Sequence, residues 1–299
     1  MLTHHREATG AQLPRVVVIG ARGFIGRALC RRLTAAGMSH LPLTSAEIDL
    51  TKAEAGAALA GVLREGDAVV LLSALTPDKG RDRATFMRNI AMADAVCGAI
   101  EMKTPSHVVY VSSDAVYPFD NGLVSEQSPA ISTDLYSAMH LARETLLRQA
   151  AAKIPYAVLR PTMVYGAGDT HNSYGPNRFR RQAVKDGKIT LGGAGEETRD
   201  HIAVDDAAAL IQLVLQHTSD GVLNLATGHS PSFDDVARLV AGHFSPPVPV
   251  VHTPRQSPIT YRRFDITALH KAFPDFRFTS LEDGLATAHS VEAGAAASQ

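Results

Sequence analysis

Gly20-Ala21-Arg22-Gly23-Phe24-Ile25-Gly26 constrains this chain more than any other stretch. It follows the apolar run Arg15-Val16-Val17-Val18-Ile19 and precedes a helical pattern carrying Phe24, Ile25, Ala28, Leu29 and Leu33. A strand that ends in glycines and opens into a helix is a dinucleotide-binding turn. Gly20 permits the tight turn, Gly23 lets backbone approach a pyrophosphate, and Gly26 lets helix and strand pack closely. The pyrophosphate then rests on the helix N-terminus, where free N–H groups and the dipole favour an anion.

Strand-like runs alternate with helical ones through the first two-thirds of the chain. Strands are expected at 15–20, 39–43, 68–73, 107–112 and 155–160, each short and rich in Val, Leu or Ile, as buried parallel strands are. Helices are expected at 24–36, 52–64, 83–102 and 134–152. This order predicts an α/β fold, a Rossmann-type doubly wound parallel sheet. After Pro161 the rhythm loosens, and Tyr165 to Asn177 reads as a long glycine-rich loop. Helices near 178–187, 204–217, 232–244 and 280–289, with strands near 189–191 and 222–225, complete the pattern. The expected division is a dinucleotide-binding domain over 15–165 and a smaller substrate-binding lobe over 166–290, some of whose elements return to the sheet. Residues 1–14 and 291–299 are expected to be flexible ends.

Ligands of an open parallel sheet bind beyond the carboxyl ends of its strands. Here those ends hold Gly20; Thr44 and Ser45; Ser73 and Ala74; Ser112, Ser113 and Asp114; and Arg160 to Val164, with Pro161 and Thr162. Ser113 ends the fourth strand, Tyr136 opens the next helix after Thr133-Asp134, and His140 shares a helix face with Tyr136. A phenol beside a hydroxyl and a basic group is a general acid/base assembly. Read singly, the three could be a turn cap, a core-edge aromatic and a surface imidazole. Read together behind the glycine turn, they point to catalysis.

On these motifs the chain resembles the extended short-chain dehydrogenase/reductase family, its NAD-dependent epimerase/dehydratase group, from about Arg15 to Gly284. The resemblance also rests on Asp49-Leu50, Asn89, Val111-Ser112-Ser113-Asp114-Ala115-Val116-Tyr117, Arg160-Pro161-Thr162-Met163-Val164-Tyr165-Gly166 and the run from Thr198 to Asp206. It implies hydride transfer between a nicotinamide and a carbon of a nucleoside-diphosphate sugar, by an epimerase or 4-ketoreductase of surface-polysaccharide or deoxysugar synthesis. By resemblance, Tyr136 exchanges the hydroxyl proton, Ser113 bonds the developing ketone oxygen, and His140 stands at the nicotinamide ribose. Gly20, Arg22, Gly23, Phe24, Ile25, Gly26, Thr44, Asp49, Leu50, Ser73, Ala74, Asn89, Ser112, Pro161 and Thr162, with Tyr136 and His140, would line the cofactor. Ser113, Asp114, Asn177 and Arg199 would meet substrate, Arg199 at the pyrophosphate, a job that suits a planar fork.

Three departures from the family pattern stand out. The lysine four residues after the tyrosine is His140, an asparagine is replaced by Met163, and Asp114 is followed by Ala115 where dehydratases carry Glu. The last makes elimination of water an unfavoured chemistry. A histidine at 140 is charged only below about pH 6.5. Either Glu144, one turn on, holds it protonated, or the oxidised nicotinamide does most of the work on Tyr136. The alternative reading, from another class, is a non-catalytic NAD(P)-binding regulator that kept the fold.

NAD enzymes place an acid about 18–20 residues beyond the glycines. That place holds Thr44-Ser45, with Arg22 in the glycine turn, so NADP is expected to bind at least as well as NAD. The helices at 83–102 and 134–152 carry more apolar residues than one stripe needs, which predicts a homodimer through them. Net charge is −1 with scattered Lys and Arg, so neither nucleic acid nor an acidic membrane is an expected partner. No apolar run approaches the roughly 20 residues of a membrane span, Met1 to Pro14 lacks a signal peptide's apolar core, and a cytoplasmic location is expected. Cys30 and Cys97 fall in apolar helical patterns and read as reduced thiols. Arg178, Arg180 and Arg181 could be phosphate ligands or a solvated helix face, and the solvated face is the favoured reading. No metal-ligand spacing, nucleophile elbow or phosphate loop occurs.

Overall fold

The computed structural model describes residues 2–7, 13–119, 122–169 and 175–297. Its strands are β1 (Thr3–His4), β2 (Val16–Ile19), β3 (His40–Leu43), β4 (Ala68–Leu71), β5 (His107–Val111), β6 (Leu123–Val124), β7 (Tyr156–Pro161), β8 (Met163–Tyr165), β9 (Ile189–Gly192), β10 (His201–Ala203), β11 (Ser219–Leu225), β12 (Val250–Thr253) and β13 (Arg263–Phe264). Its helices are α1 (Phe24–Ala35), α2 (Ala55–Val62), α3 (Arg83–Met102), α4 (Leu135–Ala150), α5 (Pro176–Asp186), α6 (Val204–Gln216), α7 (Phe233–Gly242), α8 (Thr267–Ala272) and α9 (Leu281–Ala297).

The main sheet runs β1-β11-β7-β5-β4-β2-β3, parallel except for β1 at one edge. From β2 the chain goes first outward to β3 and then back across to β4, so the direction of winding reverses between β2 and β4. That reversal opens the crevice at the carboxyl end of the sheet. All five strands and all four helices expected before Pro161 form, with ends shifted by at most three residues. The inner strands β2, β4, β5 and β7 are buried along their length because helices cover both faces. One apolar cluster joins α1 and α6 to Val16, Val18, Val70 and Leu159. The other joins α2, α3 and α4 to Val17, Val69, Tyr110 and Val158.

A separate cluster of Phe179, Ile189, Leu191, Val236, Val240 and Leu285 forms the core of the lobe after β8. The loop expected over Tyr165 to Asn177 is shorter than that, because α5 begins at Pro176, and residues 170–174 lie outside the described residues. The parallel pairs β8–β10, β9–β12 and β6–β13 were not expected.

Both ends differ from the sequence expectation. Thr3–His4 pairs with β11, and His4 stacks on His217 at 4.4 Å while its Nδ1 meets Ser219 Oγ at 2.9 Å. At the other end α9 runs on through Val291 to Ala297. Glu292 anchors it by pairing with Arg180 and accepting from the Gly168 amide at 2.9 Å. Arg180 is therefore a buried ion-pair partner rather than part of a solvated face. Among the described residues no helix is long and apolar enough to cross a membrane.

Candidate active site

The glycine turn has the geometry a dinucleotide needs. Gly20 adopts a φ of 96°, and a Cβ there would stand 2.8 Å from Ser73 N and Oγ, so the turn backs directly onto the end of β4. A side chain at Gly26 would collide with the Gly20 carbonyl. Gly23, which caps α1 without a side-chain hydrogen bond, is exposed, and a Cβ on it would meet only the Gly20 carbonyl, at 3.1 Å. The first turn of α1 therefore faces the crevice with unfilled amides, a donor set that fits a pyrophosphate. Phe24 and Ile25 are half-buried behind it and pack on the core beneath.

At the end of β3 the structure corrects a premise. Glu47 folds back so that its carboxylate accepts from the Thr44 amide at 2.9 Å and from the Thr44 hydroxyl. The bonds from Thr44, with a contribution from Arg22, hold its pKa below the usual carboxylate value. A carboxylate does stand at the end of β3, on Thr44 itself, although it comes from a residue three positions beyond the one that sequence spacing marks.

Several residues expected to line the cofactor turn their polar groups elsewhere. Asp49 accepts from the Thr51 amide at 3.0 Å, and Leu50 is buried under α2. Asn89 is buried, and its carboxamide grips both the amide and the carbonyl of Leu75, at 2.8 and 3.1 Å. It holds the Ser73-Ala74-Leu75 segment in place rather than presenting its amide to the crevice. The Ser112 hydroxyl donates to Glu144 at 2.6 Å inside the core. Pro161 ends β7, and the Thr162 hydroxyl donates to Asp200 at 3.1 Å. Asp200 also accepts from the amides of Thr227 and Gly228. Burial pushes its pKa up to about 6 against those bonds.

Ser113 is half-buried, and its Oγ accepts from the Ala115 amide at 3.1 Å, capping a short 3-10 turn over Asp114–Val116. That turn packs against α4. Asp134 caps α4 through the Ser137 amide at 2.8 Å, which fixes where the helix begins and so places Tyr136 in its first turn. Tyr136 is half-buried, with its ring edge-to-face with His140 at 4.7 Å between centroids.

His140 lies deeper than expected. Its imidazole is buried, Nδ1 and Tyr110 Oη of β5 form a hydrogen bond of 2.6 Å, and Nε2 has no partner among the described residues. Burial first, and then the charge of Arg143, hold its pKa well below the ordinary histidine value. Glu144 is not its counter-ion, because both carboxylate oxygens go to Arg160, at 3.0 and 2.6 Å. The expectation that Glu144 keeps His140 protonated is overturned, since a histidine with no anion in reach of the ring stays neutral in the core.

Beyond the end of β5, Asp114 pairs with the buried Arg262 at 2.9 Å. The Arg262 guanidinium lies 3.8 Å from the centroid of Phe119 and that of Arg199 lies 4.5 Å from it, so the two cations share one exposed ring. Arg199 is oriented by Thr198 O and Thr260 O, at 2.7 and 2.9 Å, and by Thr260 Oγ at 2.6 Å. Asn177 is buried and donates to Asp169 at 2.5 Å, so it ties the loop after β8. Sequence reading missed Glu47, Tyr110, Phe119, Arg143 and Arg262. Arg262 alone offered a signal, as one of two adjacent arginines near the end of the lobe.

The profile of the NAD dependent epimerase/dehydratase family matches residues 16–226. The chain is 35% identical over 127 residues to a dTDP-L-rhamnose 4-epimerase of Burkholderia thailandensis, a match covering 40% of this chain and 35% of that relative's length. It is 29% identical over 250 residues to a dTDP-4-dehydrorhamnose reductase of Mycolicibacterium smegmatis, covering 79% of this chain and 71% of the relative. Among solved structures, a UDP-glucose 4-epimerase of Thermotoga maritima with UDP-glucose superposes with a TM-score of 0.84 at 19% identity, covering 94% and 99% of the two chains. At that identity the likeness speaks to the fold.

Proposed function

The chain belongs to the NAD dependent epimerase/dehydratase family, and on that footing we propose that it is an NAD(P)-dependent oxidoreductase or isomerase acting at a sugar carbon of a nucleoside-diphosphate sugar. The observation that carries the reading is the pairing of two half-exposed groups, Ser113 at the end of β5 and Tyr136 in the first turn of α4. They belong to elements packed against each other beside a glycine turn shaped for a dinucleotide. The two relatives named as an epimerase and a reductase of dTDP-sugars support the substrate class.

When bound, the nicotinamide supplies the hydride acceptor or donor. Tyr136 exchanges the hydroxyl proton at its phenol oxygen, and Ser113 donates from Oγ to the carbonyl oxygen as it develops. Arg199, held over the Phe119 ring, meets the diphosphate with its fork. Asp114 stays paired with Arg262 and is followed by Ala115, which favours epimerisation or keto reduction over loss of water. Tyr136→Phe is expected to lower turnover about 10²- to 10⁴-fold with cofactor binding retained. Undiminished turnover in that variant would remove the reading.

Within the cofactor class, NAD is favoured by the Glu47 carboxylate beside Thr44, and Arg22 leaves room for NADP. The proposed assembly is a homodimer through α3 and α4. Much of their apolar surface is already buried within the subunit, leaving Met87, Met102 and Leu135 exposed and Phe86, Ile90, Leu141 and Leu146 half-buried. Light scattering at micromolar concentration tests it, and a monomer would rule it out. The neutral, buried His140 favours a second reading, an NAD(P)-binding regulator without turnover. The retained Ser113 and Tyr136 oppose that reading, because a regulator has no need of either.

A further inference from the structure

His140 leaves the family's lysine position uncharged, yet the same helix face carries a permanent cation one turn further on. Residues 136, 140 and 143 share a stripe of α4, at spacings of four and seven. Arg143 on that stripe is fully buried. Helical side chains lean toward the N-terminus of their helix, and this one does. Its Nη1 reaches the Met139 sulfur at 3.8 Å, and its guanidinium lies 5.1 Å from the centroid of the Tyr110 ring that bonds His140. Its Nη2 donates to the Ser73 carbonyl at 2.7 Å, on the residue against which Gly20 turns. The cation therefore sits under the crevice floor, between the glycine turn and the catalytic helix.

No carboxylate pairs with Arg143 among the described residues, and its Nε has no hydrogen-bond partner. The acid next to it in the chain, Glu144, is taken by Arg160 and Ser112. A buried guanidinium without a counter-ion is destabilising, and an apolar side chain of similar volume would suit a core better. Its presence is explained if the matching anion forms only when the enzyme works. The other ionisable groups around His140 do not supply charge. Burial pushes Tyr110 of β5 up to about 12, Cys97 of α3 up to about 12, and Tyr156 of β7 well above its ordinary value, so all three stay protonated. Asp94 and Glu101 of α3 lie on its exposed side.

We propose that Arg143 is a positioning residue that supplies, from inside the core, the fixed positive charge that a lysine at position 140 would supply, and that this charge stabilises the phenolate of Tyr136. The proposal rests on the functional reading above, but its effect is present without cofactor or substrate. The test follows the Tyr136 phenol by NMR, with tyrosine labelled at the ring carbon bearing oxygen, in the ligand-free protein. Arg143→Met and Arg143→Gln are expected to raise the Tyr136 titration midpoint by about one pH unit, and Arg143→Lys to leave it near wild type. With a nucleotide sugar, the neutral variants are expected to lose at least roughly tenfold in kcat at neutral pH. His140→Lys combined with Arg143→Met is expected to recover most of that loss, because it returns the charge one turn nearer the phenol. A midpoint that stays put in the neutral variants overturns the proposal, as does one that moves as far with Lys as with Met. A double variant no better than Arg143→Met also overturns it. A wild-type protein inert toward every nucleotide sugar would count against the functional reading alone, since the ligand-free titration still reads the charge.

Discussion

Glu144 Oε2 lies 2.6 Å from Arg160 Nη2, and Glu144 Oε1 lies 3.0 Å from Arg160 Nε, so the carboxylate is gripped along one edge of the guanidinium inside the core. This pairing ties α4, which carries Tyr136, to β7. The Ser112 hydroxyl on the same carboxylate adds β5, and Tyr117 Oη, 2.8 Å from Arg160 Nη1, adds the turn after Ser113. The network fixes the helix bearing the phenol relative to the strand end bearing the serine, and it takes the one carboxylate that could have charged His140.

Glu144→Gln should therefore act on stability before chemistry. Leaving Arg160 buried without its anion costs about 3–5 kcal/mol, read as a lower urea midpoint with an unchanged slope. Glu144→Gln with Arg160→Met should cost less than the sum of the two single changes. If Glu144→Gln lowered activity and left the urea midpoint alone, the carboxylate would be acting on the site directly.

Acid should destabilise the fold through its buried histidines. Burial lowers His107 to about 4, although its Nε2 meets the Ser219 carbonyl at 2.8 Å, and lowers His201 to about 3. Between those values and the unfolded value near 6.5 the unfolded chain binds more protons, so stability falls as pH falls through that window. Asp200, raised to about 6, works the other way between about pH 4 and 6, because there the folded state holds the extra proton. Two histidines outweigh one acid, and the melting temperature should drop from pH 7 to pH 5. His107→Gln keeps a donor for Ser219 and should flatten that slope, by roughly 3 kcal/mol across the window. A slope unchanged by this substitution would mean that His107 is protonated in the native protein.

In the proposed reading, cofactor choice turns on Glu47. Its carboxylate would accept from the adenine ribose hydroxyl of NAD and would repel the phosphate of NADP. Glu47→Gln should shift the ratio of the two dissociation constants toward NADP by about tenfold. Titrating both cofactors into both proteins checks it, and an unmoved ratio would place the ribose elsewhere.

The sequence carried the strand ends well, because buried parallel strands are unbroken apolar runs and α4 has a polar cap at Asp134. It carried β8 and β10 poorly. Each is three residues long and pairs with the other outside the main sheet, too short for its apolar residues to mark it as a strand. The Ala- and Gly-rich composition after Val291 suggests a loose tail, but α9 continues to Ala297 because alanine is the strongest helix former and Glu292 has a buried partner. Glu47 and Arg143 were hidden for a common reason. A charged residue in a turn or on a helix reads as solvated, and only the folded chain brings Glu47 back onto Thr44 or places Arg143 beneath Tyr110. The charge on His140 was illegible for the same reason, since it depends on which neighbour takes Glu144.

Hydride transfer at a sugar carbon is read out by following an isotope from the cofactor to the sugar. The purified protein would be incubated with the reduced nicotinamide cofactor carrying deuterium at both positions of the reactive ring carbon and with a panel of 4-keto nucleoside-diphosphate hexoses, and the sugars analysed by mass spectrometry. The account predicts deuterium on the sugar of at least one panel member, and none with Tyr136→Phe. Cofactor bound in the crevice with no deuterium in any sugar would contradict it and leave the regulatory reading in its place.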